Sequence, residues 1–275
     1  MEFFLQLLLN GIVVGSIYSL VGLGFVVIYK STSVLNFAQG EFLVLGAYVC
    51  LTLTVEYHVP FFWAFLLTLV FSALMGILTE RIILRPMIGE PVISLIMVTL
   101  GLSSLLKAII QGIWGTELRP FPDIFPAEPV KIGPLPVSQG YLISLASVAV
   151  LLVIFTLFFK YTRAGVAMRA TAFSQQVSLS MGISVKRIFA LAWSIAAVVS
   201  AIGGVLLAGI RGGLDSIAGA IVGGPIMGIL ENLAGGYLDP LVGGGAKEVA
   251  PFVILVLILG FKPYGLFGKV KIERV

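Results

Sequence analysis

The stretch LNFAQGEFLVLGAY, Leu35–Tyr48, combines a long apolar run with three polar side chains near its start. Asn36, Gln39 and Glu41 lie at the beginning of a segment, Phe37–Val55, that is long and apolar enough to cross a membrane. Polar and ionisable side chains are costly at that depth, so their presence needs a structural or functional reason. The stretch therefore predicts a membrane-spanning helix with polar groups at one end.

The composition extends this interpretation to the whole chain. Of its 275 residues, 59% are hydrophobic and 11% are charged, and the mean hydropathy is +1.12. Soluble domains carry about 25% charged residues. No water-soluble fold could bury this much apolar surface, so we expect an integral membrane protein. The net charge of +4 comes from Lys and Arg in short loops between apolar runs, a pattern of cytoplasmic loops that argues against nucleic acid as a partner.

Apolar runs of about the length that a bilayer requires recur along the chain. We expect an all-α, polytopic transmembrane helix bundle of about eight hydrophobic segments, forming a single permease domain over residues 1–275. The predicted segments are Leu5–Tyr29, Phe37–Val55, Pro60–Leu78, Val92–Gln111, Tyr141–Phe159, Ile188–Ile210, Ile217–Leu233 and Val249–Phe261.

Charged residues in the loops predict the orientation of these segments. The loop 160–187 carries basic residues and no acidic one, and Arg81 and Arg85 lie close to the membrane in the loop Glu80–Glu90. Both loops are therefore expected in the cytoplasm. The more acidic, proline-rich loop Trp114–Gln139 is expected outside, as an extended cap rather than a helix. Counting crossings back from these loops places the N-terminus outside.

Glycine pairs separated by three residues suggest where helices approach each other closely, because glycine has no side chain to keep the backbones apart. The simplest interpretation of these pairs is a tightly packed helix bundle. The Gly- and Pro-interrupted segment Gly212–Leu233 also fits a broken helix that lines a solute path. The pairs are Gly11 and Gly15, Gly219 and Gly223, and Gly224 and Gly228.

Residues for catalysis are scarce. His58 is the single histidine and Cys50 the single cysteine, so neither a zinc cluster nor an internal disulfide is expected. The stretch GGGAKE, Gly243–Glu248, lacks the spacing and the Ser or Thr of a phosphate-binding loop. We therefore expect a transport protein that is not an enzyme, with no metal and no cofactor, and with any ATP hydrolysis on other chains.

The loop sequence TRAGVAMRATAFSQQVSLSMGIS, Thr162–Ser184, predicts a short amphipathic helix. Arg169 lies on its polar side, and Gly182 is expected to end it. Two roles remain open: a helix that lies on the inner membrane surface, or a helix that docks onto a cytoplasmic partner. Its apolar face would consist of Val166, Ala170, Phe173, Val177 and Met181.

Three separated stretches resemble one family: Ser16–Tyr48, the loop just quoted, and GGLDSIAGAIVGGPIMGILENL, Gly212–Leu233. They resemble the permease subunits of bacterial branched-chain amino acid ABC importers, and permeases for urea and short amides are close relatives. The resemblance implies a multi-pass subunit of the inner membrane that passes Leu, Ile or Val inward. It also implies a homologous second permease, two cytoplasmic ATP-binding subunits and an extracytoplasmic substrate-binding protein.

We also predict a functional role for each of two regions of the sequence. Residues Val166 to Gly182 would form the coupling contact with an ATPase, and Asn36, Gln39 and Glu41 would line an inner gate. In that family a His and then Gly-Asp commonly follow Asn-Phe-Ala, whereas Gln39 and Glu41 occupy these places here. A purely structural alternative is that Asn36 caps the second helix and Glu41 complements its dipole. A urea or amide importer, and a passive channel or secondary carrier for small neutral solutes, also remain as alternatives.

The number of predicted membrane crossings conflicts with the charge of the C-terminal tail. The C-terminal tail is rich in Lys and Arg and should be cytoplasmic, yet the counted crossings would leave it outside. Compared with the family, about one span of residues, roughly 20, is missing near residues 210–212. We expect either an internal deletion or an omitted segment there, unless Gly212–Leu233 is re-entrant.

Overall fold

The computed structural model describes residues 2–32, 34–88, 90–116, 119–122, 124–126, 129–132, 135–211 and 213–214. Among these residues, five helical stretches are long and apolar enough to cross a membrane: Gly11–Tyr29, Phe61–Met87, Ile93–Trp114, Gln139–Tyr161 and Val185–Ile210. The helices are α1 Glu2–Thr32, α2 Gln39–Leu51, α3 Phe61–Thr79, α4 Val92–Trp114, α5 Gln139–Tyr161, α6 Arg163–Phe173, α7 Gln175–Ser180 and α8 Val185–Arg211.

The expected helical membrane protein is confirmed over this part of the chain. The predicted spans Ile217–Leu233 and Val249–Phe261, the glycine pairs from Gly219 to Gly228 and the basic tail lie outside the described residues. Gly11 and Gly15 are buried residues of α1. They belong to a separate compact unit that includes Met1–Ser16, whereas the unit described below begins at Ile17.

Helix α8 forms the centre of this unit and packs against α2 and α3. Buried residues make up 72% of its apolar stretch, against 22% in α3 and α4 and 11% in α5. Trp193 of α8 is fully buried and meets the ring of Phe42 of α2 edge to face, with 6.4 Å between the ring centroids. Few residues of α3, α4 and α5 are buried, as is expected of helices that face lipid.

Glycines bring the backbones of these three helices into contact. A Cβ on Gly46 of α2 would lie 2.7 Å from the Cα of Ala201 in α8. A Cβ on Gly76 of α3 would lie 2.7 Å from the carbonyl carbon of Trp193. Small residues allow close approach here at positions that the spacing of glycine pairs did not identify.

Two helices change their winding near one end. A π-helical turn, Thr52–Glu56, extends α2, so that the helical segment ends close to the predicted Val55. Another, Glu80–Leu84, extends α3 and continues into the 3₁₀ turn Arg85–Met87. Such turns re-aim the side chains that follow, and they occur often at functional sites.

The connection between α4 and α5 is extended where the structure describes it, as predicted. Strands β2 Val130–Ile132 and β3 Leu135–Val137 form an antiparallel hairpin in which Val130 is opposite Val137. Strand β1, Arg119–Pro120, pairs antiparallel with β4, Gly213–Leu214, which follows the end of α8. This second pairing joins segments distant in sequence and was not predicted.

We predict that Gly46→Ala lowers the thermal stability of the purified protein in detergent. The added methyl has no room against Ala201, and overpacking of this kind costs about 1–3 kcal/mol. The matched control is Gly22→Ala in α1, because nothing lies within 4 Å of a Cβ there. Equal melting temperatures for the two variants would show that α2 and α8 do not touch at backbone distance.

Candidate functional site

A buried polar network surrounds Gln39 at the start of α2. The Gln39 Nε2 donates to the Ser200 Oγ at 2.6 Å and to the Ala196 carbonyl at 3.3 Å, and both acceptors belong to α8. The Gln39 Oε1 accepts from the Asn36 Nδ2 at 3.0 Å, and the Asn36 Oδ1 accepts from the Ala38 amide at 3.0 Å. Asn36 and Gln39 are fully buried. Their amides therefore bind protein, as buried polar groups must in a membrane.

Gly24 of α1 makes the space for this network. A Cβ at Gly24 would collide with the Gln39 Nε2 and would lie 3.4 Å from the Ala196 carbonyl oxygen. Sequence reasoning missed Gly24, since no second small residue at helical spacing marks it. Gln39 therefore lies between α1, α2 and α8, where a shorter side chain would leave Ser200 without its partner.

The expectation that Asn36 caps α2 is wrong. The N-cap residue is Ala38, which offers no side-chain acceptor, and Asn36 lies two residues too early. The side-chain Oδ1 of Asn36 instead accepts from the Ala38 amide and stabilises the turn before the helix, which is a common use of Asn in loops. Glu41 does lie in the first turn of α2, as predicted.

Glu41 has surroundings different from those of its two polar neighbours. It is half-buried, and within the described residues its carboxylate makes no hydrogen bond and no ion pair. Of the three predicted residues, Glu41 is thus the one whose side chain reaches the surface. The structure brings Asn36 and Gln39 together and leaves the Glu41 carboxylate available to a solute, to water or to another chain.

The predicted amphipathic helix is two helices, so the expectation of one continuous helical face is corrected. Ser174 is extended, with φ −156° and ψ 117°, and separates α6 from α7. Its hydroxyl accepts from the Val177 amide at 3.3 Å and so caps α7, a local bond that competes with helix continuation. Met181 lies just after α7, and Gly182 ends the segment with φ +80°, as predicted.

One side of α6 is held firmly against the bundle. Met168 is fully buried and packs with Val27, Ile188 and Ala192, and a Cβ on Gly165 would lie 2.7 Å from the Cα of Phe159. Arg169 donates to the carbonyl of the same Phe159, so it joins α6 to the end of α5.

The other side of α6 and the surface of α7 are free within the described residues. Phe173 is 93% exposed, and Val166, Val177 and Met181 are also exposed, whereas Ala170 is half-buried. An aromatic ring presented to solvent in this way costs free energy unless something covers it. We call Val166, Phe173, Val177 and Met181 the α6–α7 apolar surface.

An ion pair between a buried carboxylate and a partly exposed guanidinium, at the end of α3, was missed from the sequence. Glu80 is fully buried and accepts from Arg85 twice, at 3.1 Å from Nε and 2.8 Å from Nη2. Two parallel bonds of this kind satisfy a carboxylate that would otherwise be very unfavourable in the interior. Glu80 and Arg85 are five residues apart, whereas ion pairs on an α-helix are recognised from a spacing of three or four. The π turn between them brings the two side chains together. Among the described residues, no cluster of His, Cys, Asp and Glu could hold a metal ion.

Comparison with known proteins identifies the family of the chain. Residues 7–211 match the family described as branched-chain amino acid transport system / permease component. The chain is 28% identical over 310 residues to the high-affinity branched-chain amino acid transport system permease protein LivH of Escherichia coli (strain K12), covering 99% of this chain and 98% of the relative. It is 30% identical over 305 residues to the permease protein BraD of Pseudomonas aeruginosa, with the same coverage. No solved structure matches the chain.

These alignments are longer than the 275-residue chain, so the relatives carry residues that have no counterpart here. The family match ends at residue 211, next to the expected deletion, and the position of the difference stays a prediction. The matched range contains the Gln39 network, α6, α7 and α8. The chain therefore belongs to the family of permease components of branched-chain amino acid transport systems.

Proposed function

We propose that this chain is the membrane-spanning subunit of an ATP-driven importer that passes Leu, Ile and Val inward across the bacterial inner membrane. Its membership of the permease family is the observation that carries this proposal. ATP hydrolysis is assigned to two cytoplasmic ATP-binding subunits, because the sequence has no nucleotide-binding motif. A homologous second permease and an extracytoplasmic binding protein would complete the complex.

The proposed orientation places the N-terminus outside and the α6–α7 end of the unit in the cytoplasm. The end of α3, the end of α5 and the start of α8 share this end if consecutive spans alternate in direction. Basic residues collect there: Arg81, Arg85, Lys160, Arg163, Lys186 and Arg187. This distribution follows the positive-inside rule, and by the same rule the C-terminal tail is cytoplasmic.

We assign coupling to the α6–α7 apolar surface, with the half-buried Ala170 at its edge. It projects from a helix whose other side is fixed to α5 and α8, so a partner that binds it would pull on the bundle directly. The segment carries no acidic residue, and Phe173 is its most exposed large side chain. An aromatic side chain that fills a groove is a typical dominant contact of a docked helix.

We assign the inner gate to Glu41, with Asn36 and Gln39 as the residues that hold the start of α2 in place. The Glu41 carboxylate lies at the proposed cytoplasmic end of a helix that is otherwise almost entirely buried. It can offer a charged hydrogen-bond acceptor to the ammonium group of a leaving amino acid.

Reconstitution of this permease with its partner subunits in liposomes tests the function. We expect inward transport of Leu, Ile and Val that requires ATP and the binding protein. Transport that requires neither ATP nor the binding protein would indicate a channel or a secondary carrier. ATP-dependent uptake of urea or short amides with no uptake of these amino acids would support the importer but overturn its substrate.

Phe173→Ala should weaken binding of the ATPase about 30-fold and reduce coupled transport, because a dominant aromatic contact contributes about 2 kcal/mol or more. Its folding should not change, since Phe173 is 93% exposed. Phe62→Ala, at the other end of the bundle, is the control, because Phe62 is also exposed. Normal ATPase binding by Phe173→Asp would refute the assignment and would favour a helix that lies on the inner membrane surface.

Glu41→Gln should leave assembly normal and reduce transport at least about tenfold, since a hydrogen bond to a charged group contributes about 1.5–3 kcal/mol. Gln39→Leu should show the opposite pattern, with reduced assembly, because it removes the partner of the buried Asn36 Nδ2 and of the Ser200 Oγ. Size-exclusion chromatography and uptake measure the two effects. Loss of assembly in Glu41→Gln would mean that Glu41 serves the helix terminus alone.

A further inference from the structure

A short extended segment crosses the end of the bundle opposite α6 and α7. We call its described residues, 119–122 and 124–126, the outer strap. The Arg119 Nη1 donates to the Glu56 Oε1 at 2.9 Å, and Glu56 is the last residue of the π turn that extends α2. The Arg119 Nε donates to the Trp114 carbonyl at the end of α4, at 3.0 Å. Strand β1 pairs with β4, which follows α8. The outer strap therefore connects the ends of α2, α4 and α8.

Two glycines make room for side chains of the outer strap between α5 and α8. A Cβ on Gly140 of α5 would lie 2.8 Å from the Phe125 Cδ2, and a Cβ on Gly209 of α8 would lie 2.8 Å from the Cε2 of the same ring. The Ile124 Cγ1 would lie 3.0 Å from the Cβ on Gly209. At Gly46, by contrast, the missing side chain brings two helix backbones together. The half-buried Phe125 ring thus occupies a space between two helices that a side chain at either glycine would close.

A buried hydroxyl lies one turn deeper than this ring. Ser144 follows Gly140 on the buried face of α5, about 6 Å further along the helix. Its side chain is fully buried, and its Oγ has no hydrogen-bond partner among the described residues. Thr156 of the same helix, by contrast, donates to the Leu152 carbonyl. A buried hydroxyl without a partner is unfavourable, so the Ser144 hydroxyl is best explained by water or a polar solute that reaches it in another conformation.

We propose that the outer strap is the outer gate of the solute path and that the Phe125 ring closes an entrance between α5 and α8 above Ser144. This inference rests on the proposed function and its orientation. The contacts that hold the strap can be released at little cost. Arg119 and Glu56 are both partly exposed, and exposed ion pairs contribute little to stability. The pairing of β1 with β4 is two residues long. Because a hydroxyl both donates and accepts, Ser144 can bind the carboxylate or the ammonium group of an entering amino acid.

Helix α2 offers a physical connection between this gate and the proposed inner gate. Glu41 lies in the first turn of α2, and Glu56, which binds Arg119, ends its π-helical extension. The two carboxylates belong to one continuous helical segment and are separated by about 20 Å along it. The Trp114 Nε1 donates to the Thr52 Oγ1 at 2.6 Å, which adds a second link between this segment and the residues next to the outer strap. A displacement of α2 would therefore act on both gates.

Cysteine accessibility in spheroplasts tests the gate. Ser144→Cys is made in a Cys50→Ala background, so that the chain carries a single thiol, and a membrane-impermeant methanethiosulfonate is added outside. Phe125→Ala should raise the rate of modification at position 144 about tenfold or more, because modification of a covered site follows the fraction of time for which it is open. Phe62→Ala is the matched control, since Phe62 is an exposed aromatic residue at the same end of the bundle. The mass of the chain measures the modification. Equal rates in the two variants would overturn the proposal and make Phe125 a permanent wedge between α5 and α8.

A second measurement leaves Phe125 in place, so it applies even where Phe125→Ala does not fold. The Ser144→Cys chain is modified before and after the binding protein and leucine are added to spheroplasts that contain ATP. We expect faster modification during transport, because each cycle would lift the outer strap. If these spheroplasts take up leucine and the rate does not rise, the gate is wrong. If they take up no leucine, the proposed function has failed, and the comparison of Phe125→Ala with Phe62→Ala, which requires neither ATP nor leucine, still decides the gate.

Discussion

The contact between α2 and α8 is the interaction on which the rest of this structure depends. Glycine permits it at Gly46, where the two backbones touch, and the bond from Gln39 to Ser200 adds a polar link inside the protein. Without a hydrophobic effect to drive helices together in lipid, close packing and satisfied hydrogen bonds must hold them. This contact buries one side of α2 and fixes its position relative to α8.

The same helix connects the two regions assigned to function. Met168 of α6 packs on Ile188 and Ala192 near the start of α8. One turn further along α8, the carbonyl oxygen of Ala196 accepts a hydrogen bond from Gln39. Gln39 is the first residue of α2, and Glu41 follows it by two residues. The helix that carries the α6–α7 apolar surface and the start of α2 are thus joined by a short series of direct contacts. A displacement of α6 has a physical route to Glu41, and a difference in binding energy at α6 would be needed to use it.

Polarity is distributed as a lipid solvent requires, and the exceptions are informative. The buried Glu80 carboxylate is paired with Arg85, and the buried amides of Asn36 and Gln39 bind neighbouring protein groups. The Ser31 and Ser144 hydroxyls are buried without a hydrogen-bond partner, and the Glu41 carboxylate reaches the surface of the described unit without one. In a membrane an unpaired ionisable group such as Glu41 marks a place where water, a solute or another chain is expected.

The sequence by itself determined that this is a helical membrane protein, since apolar runs of bilayer length allow little else. It also indicated the polar start of α2, the stop at Gly182 and the permease family, because these depend on local composition and on short motifs. Only the tertiary structure decided that Gln39 binds Ser200 across 161 residues, that Glu80 is buried, and that Gly24, Gly46 and Gly76 are among the places where helices approach closely. These features depend on which helices become neighbours. The periodicity of one helix specifies which of its faces is apolar, but not which other helix will cover that face.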